Sequence, residues 1–207
     1  DEKWIDAEPR PGKRGGAFCM PIHAVEQSRI LCNFDGSFNL VSTLSHELGH
    51  GYHNYCHRGK KLLATRTPMT LAETASIFCE TIVTNAGLRT AHTPDEELAI
   101  LESVLIGAGQ VIVDIYSRFL FEKNVLKKRA EADLSVNEMN ELMLEAQAET
   151  YGDALDENYR NKYMWTWKPH YYSPGLAYYN FPYAFGLLFG LGLYAIYEER
   201  GDSFIPA

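Results

Sequence analysis

Short apolar runs open the chain. Ala17-Phe18-Cys19-Met20 and Arg29-Ile30-Leu31-Cys32-Asn33-Phe34 read as two strands joined through residues 21–28, after a turn-rich lead-in over residues 9–16. Asp35-Gly36-Ser37 closes the second strand, and the pattern then turns helical. A first helix is predicted from about residue 39 to 57, with Asn39 or Ser42 able to cap it. After a basic, polar loop, a second helix is predicted from residue 70 to about 88, with Thr70 and Glu73 at capping-box spacing. Thr93 as cap and Pro94 in the first position open a third, long helix to about residue 129. Ser135 and Glu138 repeat the capping-box spacing and start a fourth helix to about residue 155. An aromatic, proline-punctuated loop over residues 165–175 leads to a last helix ending near Arg200. The expected fold is therefore mainly α with a small β-strand pair near the start. No internal boundary is marked, so residues 1–207 are expected to form one domain.

Composition narrows this picture. Hydrophobic residues make up 46% of the chain, which suits a folded globular protein and argues against disorder. A formal net charge of −8 argues against a general nucleic-acid binder, which needs a basic face. Cys19, Cys32, Cys56 and Cys79 lie far apart with no C-x-x-C pair, so reduced, mostly buried thiols are expected in place of a disulfide framework. The longest apolar run, residues 183–197, is short for a membrane span and is broken by three glycines. It is expected to be a buried helix, with Gly186-x-x-x-Gly190 marking close helix packing, and no membrane partner is expected. The opening Asp1-Glu2-Lys3-Trp4 has no signal-peptide core.

The chemistry concentrates in Ser45-His46-Glu47-Leu48-Gly49-His50, an H-E-x-x-H pattern inside the first helix. Residues four apart share a helix face, so His46 and His50 can offer two imidazole nitrogens to one zinc ion. Glu47 is placed to take a proton from a water held at that ion. Two exposed histidines beside a surface glutamate is the alternative reading. A catalytic zinc usually has three protein ligands. Glu73, 27 positions after His46, can present a carboxylate from the second helix, or it can simply cap that helix. Glu80, two helical turns further on, can accept the free N–H of one of the histidines. His53 sits one turn past His50 and suits a supporting role beside the metal or a solvent-facing one.

Four segments then carry a resemblance: Arg14-Gly15-Gly16-Ala17-Phe18-Cys19, Asn33-Phe34-Asp35-Gly36-Ser37, Thr43 to His50, and Leu71-Ala72-Glu73-Thr74-Ala75-Ser76. Their order and spacing resemble oligoendopeptidase F, the bacterial branch of the thimet-oligopeptidase-like zinc endopeptidases. The resemblance implies a zincin-like catalytic domain with an edge strand before the H-E-x-x-H helix. It implies a cytoplasmic enzyme that cuts short oligopeptides, with one Zn2+ per chain held by His46, His50 and Glu73 and with Glu47 as general base and acid. It implies that Gly16, Ala17 and Phe18 on the edge strand bind the substrate, with Tyr171 and Tyr179 also in contact with it. His170, Tyr178 and Tyr172 are implied as donors to the oxyanion. Complete members are much longer, so this chain matches their C-terminal catalytic portion, and a missing N-terminal portion is an expected partner. A zinc metallocarboxypeptidase and a non-catalytic metal- or partner-binding fragment are the rival readings.

Overall fold

The computed structural model describes residues 3–175 and 177–205. It falls into two compact units, one made of Asp1–Val104 with Phe185–Ala207 and the other of Leu105–Ala184.

The first unit carries the sheet and the first two helices. The two expected strands are β2 (Phe18–Ile22) and β3 (Gln27–Leu31), paired antiparallel with Cys19 opposite Ile30. A third strand, β1 (Ile5–Asp6), runs parallel to β3 on its other side. It was not expected, because two residues inside a polar opening leave no alternating pattern to read. The order β1-β3-β2 leaves β2 at an edge of the sheet among the described residues. Gly16, just before it, has φ +82, a conformation that glycine adopts without strain.

Helix α1 spans Phe38–Cys56 and is capped by Ser37 rather than by Asn39 or Ser42. The Ser37 hydroxyl accepts from the Leu40 N–H at 3.4 Å, and the Ser37 N–H donates to Asp35 Oδ1 at 2.8 Å. Asn39 lies inside the first turn, where its Oδ1 accepts from the Ser103 hydroxyl at 2.5 Å. Helix α2 spans Thr74–Thr90, and a separate 3₁₀ turn, Met69–Leu71, precedes it. The expected Thr70–Glu73 capping box does not form. Glu73 occupies the cap position with no side-chain bond to the helix backbone, since its carboxylate is used elsewhere. Helices α1 and α2 meet at Gly49, where an added Cβ would sit 2.6 Å from the Ala75 carbonyl oxygen and from Ser76 Cα. Only a residue without a side chain permits that approach.

Helix α3 (Pro94–Gly109) is capped as expected, with the Glu96 N–H donating to Thr93 Oγ1 at 3.2 Å. It continues through a π-helical turn, Gln110–Asp114, into α4 (Ile115–Arg129). The π turn was not expected. Within the second unit it sets the buried Asp114 carboxylate to accept from the Tyr151 hydroxyl at 2.8 Å, from Gln110 Nε2 at 2.5 Å and from Arg118. The whole helix, Pro94–Arg129, is long and apolar enough to cross a membrane by length and composition. Helix α5 (Val136–Tyr151) begins with the predicted Ser135–Glu138 capping box and stops short of the expected residue 155 at Gly152, where φ is +56. Leu120 and Phe121 from α4 pack with Leu142, Met143 and Ala146 from α5 to form this unit's core. The aromatic loop contains two 3₁₀ turns, Met164–Trp167 and Pro169–Tyr172.

The last helix, α6 (Phe181–Arg200), is where predicted but is not buried all round. Gly186, Gly190 and Tyr194 form a buried stripe at four-residue spacing, while Leu188, Phe189 and Leu191 are exposed. The four cysteines are free, but only Cys32 is buried; Cys19 and Cys79 are half-buried and Cys56 is exposed, against the expectation of mostly buried thiols.

Candidate metal centre

Helix geometry accounts for the first half of the site. His46 and His50, one turn apart on α1, have ring centroids 4.8 Å apart at 82°. The close crossing at Gly49 then brings the start of α2 against them. Glu73 Oε2 lies 3.1 Å from His46 Nε2 and 3.4 Å from His50 Nε2. The ligand atoms of His46, His50 and Glu73 all fall within 4.8 Å of one another. A tetrahedral ion with bonds near 2.0–2.1 Å separates neighbouring ligand atoms by about 3.3 Å. The nitrogen–oxygen distances match that edge, so the donor set fits a divalent metal of the zinc type.

Surrounding groups fix these ligands. Glu80 Oε1 is 2.5 Å from His46 Nδ1, which orients the ring and leaves Nε2 facing Glu73. The Ser76 hydroxyl, fully buried, donates to Glu73 Oε2 at 3.0 Å. On the far side, an added Cβ at Gly186 of α6 would lie 2.6 Å from Glu73 Cβ, so that glycine lets α6 back the ligand directly.

The electrostatics favour a cation. Burial alone would pull the His46 imidazole down, but its hydrogen bonds to Glu73 and Glu80 and their charges push it up to about 10. Burial likewise opposes ionisation of Glu73, and the two histidines more than offset it, holding the carboxyl well below its usual range. A field that keeps a proton on His46 in the absence of metal also stabilises a divalent ion in the proton's place. Glu47 is buried, and among the described residues no hydrogen bond or ion pair engages its carboxylate. Burial pushes its pKa up, against the pull of His46 and His50.

The remaining expected residues are placed as follows. His53 has its ring against His57, with centroids 4.7 Å apart, and is not among the converging ligand atoms. Gly16 accepts from Asn33 Nδ2 at 3.2 Å, and Phe18 is exposed on β2. The second unit holds the aromatic set. His170 stacks on Tyr179 at 4.8 Å and 20°, and among the described residues its buried Nδ1 has no hydrogen-bond partner. Burial, then Arg118 and Lys168, lower its pKa. Tyr171 belongs to the core: its ring meets Phe121 and its hydroxyl donates to the Arg118 carbonyl at 3.1 Å. The Tyr172 hydroxyl donates to the Trp165 carbonyl at 3.1 Å. Tyr178 has φ +56, its N–H donates to Glu122 Oε1 at 2.8 Å, and its ring lies on Phe119. Among the described residues its hydroxyl is not hydrogen-bonded.

Sequence reasoning missed Ser76 and Gly49, and read Gly186 as a mark of close helix packing without tying it to Glu73. Ser76 could have been found from its position one helical turn after Glu73. The glycines carry no chemical signal of their own.

Comparison with known proteins bears on the family and the fold. The sequence model of Peptidase family M3 matches residues 1–203. Chromosomal oligoendopeptidase F of Lactococcus lactis subsp. cremoris is 30% identical over 188 residues, which is 90% of this chain and 31% of the relative. Oligopeptidase PepF of Bacillus subtilis strain 168 is 25% identical over 188 residues, 90% of this chain and 28% of its own length. The structure of PZ peptidase A with an inhibitor superposes with a TM-score of 0.69 at 17% identity, over 98% of this chain and 36% of that one. The chain thus spans about a third of the length of the proteins it matches.

Proposed function

The chain belongs to peptidase family M3, and from that premise we propose that it is the metal-holding catalytic portion of a zinc endopeptidase acting on oligopeptides. The observation that carries the reading is the convergence of His46, His50 and Glu73, with Glu47 buried and unpaired one residue from the first ligand.

His46, His50 and Glu73 would hold the zinc, which when bound polarises a carbonyl and acidifies water. Glu47 takes the proton from the attacking water and delivers it to the leaving amine. Burial suits it to this role, because a raised pKa makes the carboxylate a stronger base. Glu80 and Ser76 keep the ligands oriented throughout. The edge strand β2, which begins at Phe18 and is preceded by Gly16 and Ala17, receives an extended peptide as a further strand. We assign the oxyanion donors to His170 and a tyrosine. Tyr178 is the better supported phenol, because Tyr171 and Tyr172 commit their hydroxyls to backbone carbonyls. A cytoplasmic setting and a further portion of the enzyme outside this chain belong to the same reading.

The test is cleavage of a quenched, end-blocked oligopeptide, with and without chelator, by this chain alone and together with the part of the relatives' length outside it. Glu47→Gln should retain zinc and lose cleavage by about 100-fold or more. Full cleavage by a zinc-loaded Glu47→Gln variant would overturn the assignment.

A further inference from the structure

Helix α1 carries four histidines, of which the centre described above uses two. His46, His50, His53 and His57 follow one another at spacings of four, three and four, which places all of them within about 60° of arc on one face. His53 and His57 repeat the one-turn spacing of the ligand pair, with ring planes at 46° in place of 82°. Their ring centroids are 4.7 Å apart, against 4.8 Å for His46 and His50. His57 is the C-terminal cap but keeps a helical backbone (φ −86, ψ −3), so the one-turn relation holds for the second pair too. We propose that His53 and His57 form a second, weaker site for a divalent transition-metal ion at the C-terminal end of α1.

Three observations support it. Imidazole is the ligand that zinc, copper and nickel share, and two imidazoles one helical turn apart can reach one ion without moving the backbone. Burial first, then His57, His50 and Lys60, lower the His53 pKa, a shift in the direction of the neutral ring that a metal needs. His57, though not His53, also lines a cavity of about 210 Å³ with His23, Glu26, Asn54 and Arg58, which gives the His57 side of the pair access to water. The helix end adds its own negative partial charge. Two ligands in place of three, with Lys60 on the cavity wall, make this site weaker than the His46–His50–Glu73 centre.

The proposal does not depend on peptidase activity, and its test does not measure it. Tag-free, metal-stripped chain is titrated with Zn2+ at neutral pH by calorimetry. Wild type should show two classes of site, about one equivalent each. His57→Gln, and separately His53→Gln, should lose the weaker equivalent and keep the tighter. Glu73→Gln should weaken the tighter class and leave the other. In the unaltered chain, the second equivalent of Co2+ should broaden the ring resonances of His53 and His57, which covers the case of a variant that fails to fold. A single class in wild type, a weaker class surviving both histidine substitutions, or broadening that spares these two rings would each overturn the proposal.

Discussion

Glu73 Oε2 meets three side chains at once, His46 at 3.1 Å, His50 at 3.4 Å and the Ser76 hydroxyl at 3.0 Å. Ser76 is the one of these that no metal would replace. Ser76→Ala should therefore lower zinc affinity by about 10-fold or more while the fold survives, measured by competition with a chromophoric chelator. Glu80→Gln should act in the same direction, because a neutral amide holds His46 Nδ1–H less firmly than a carboxylate. At this scale the sequence was readable wherever helix periodicity alone relates the residues. His46 and His50 follow from their spacing, whereas placing Glu73 needed the packing of a second helix. His170 and the tyrosines follow from neither, since an aromatic-rich loop has no period that separates a working phenol from a packed one. Tyr171 illustrates this: it neighbours His170 in sequence, yet its ring and hydroxyl are both built into the α4–α5 core.

Two glycines decide how the elements meet. A methyl group at Gly49 would fall 2.6 Å from the backbone of α2, and one at Gly186 would fall 2.6 Å from Glu73 Cβ. Backbone cannot rotate out of the way as a side-chain tip can. Gly49→Ala is expected to destabilise the chain by about 1–3 kcal/mol and to weaken zinc binding further, because the shift of α2 carries Glu73 with it. Thermal or urea unfolding, followed with and without zinc, gives both numbers. The helices themselves were legible from caps and periodicity: Thr93 and the Ser135–Glu138 box stand where expected. Two starts were misplaced for definite reasons. Ser37 caps α1 because the Asp35-Gly36 turn presents it, and Asn39 is drawn to Ser103 instead. At α2 the imidazoles compete for the Glu73 carboxylate and win it from the capping box. The π turn at residues 110–114 left no mark in the sequence pattern, since it inserts only a local change of pitch.

On the scale of the whole molecule, large apolar side chains remain uncovered. Leu98, Leu105 and Ile106 on α3 are 64%, 71% and 66% exposed, and Leu188 on α6 is 62% exposed. The chain spans 31% of the length of its Lactococcus relative, and exposed apolar side chains of this kind take up hydrophobic probes. The isolated chain should bind a hydrophobic dye strongly, and replacing Leu105 and Ile106 by lysine should reduce the fluorescence without changing zinc affinity. Endopeptidase and carboxypeptidase readings separate at this scale too. A peptide blocked at both ends should be cut internally by the former and left whole by the latter, which product analysis by mass spectrometry decides. The central claim is tested most directly by the X-ray absorption spectrum of the chain loaded with one equivalent of zinc. The account predicts a sulfur-free first shell near 2.0–2.1 Å containing two imidazoles and a carboxylate, with one imidazole replaced in His50→Ala. A shell with sulfur near 2.3 Å, or one unchanged in His50→Ala, would contradict it.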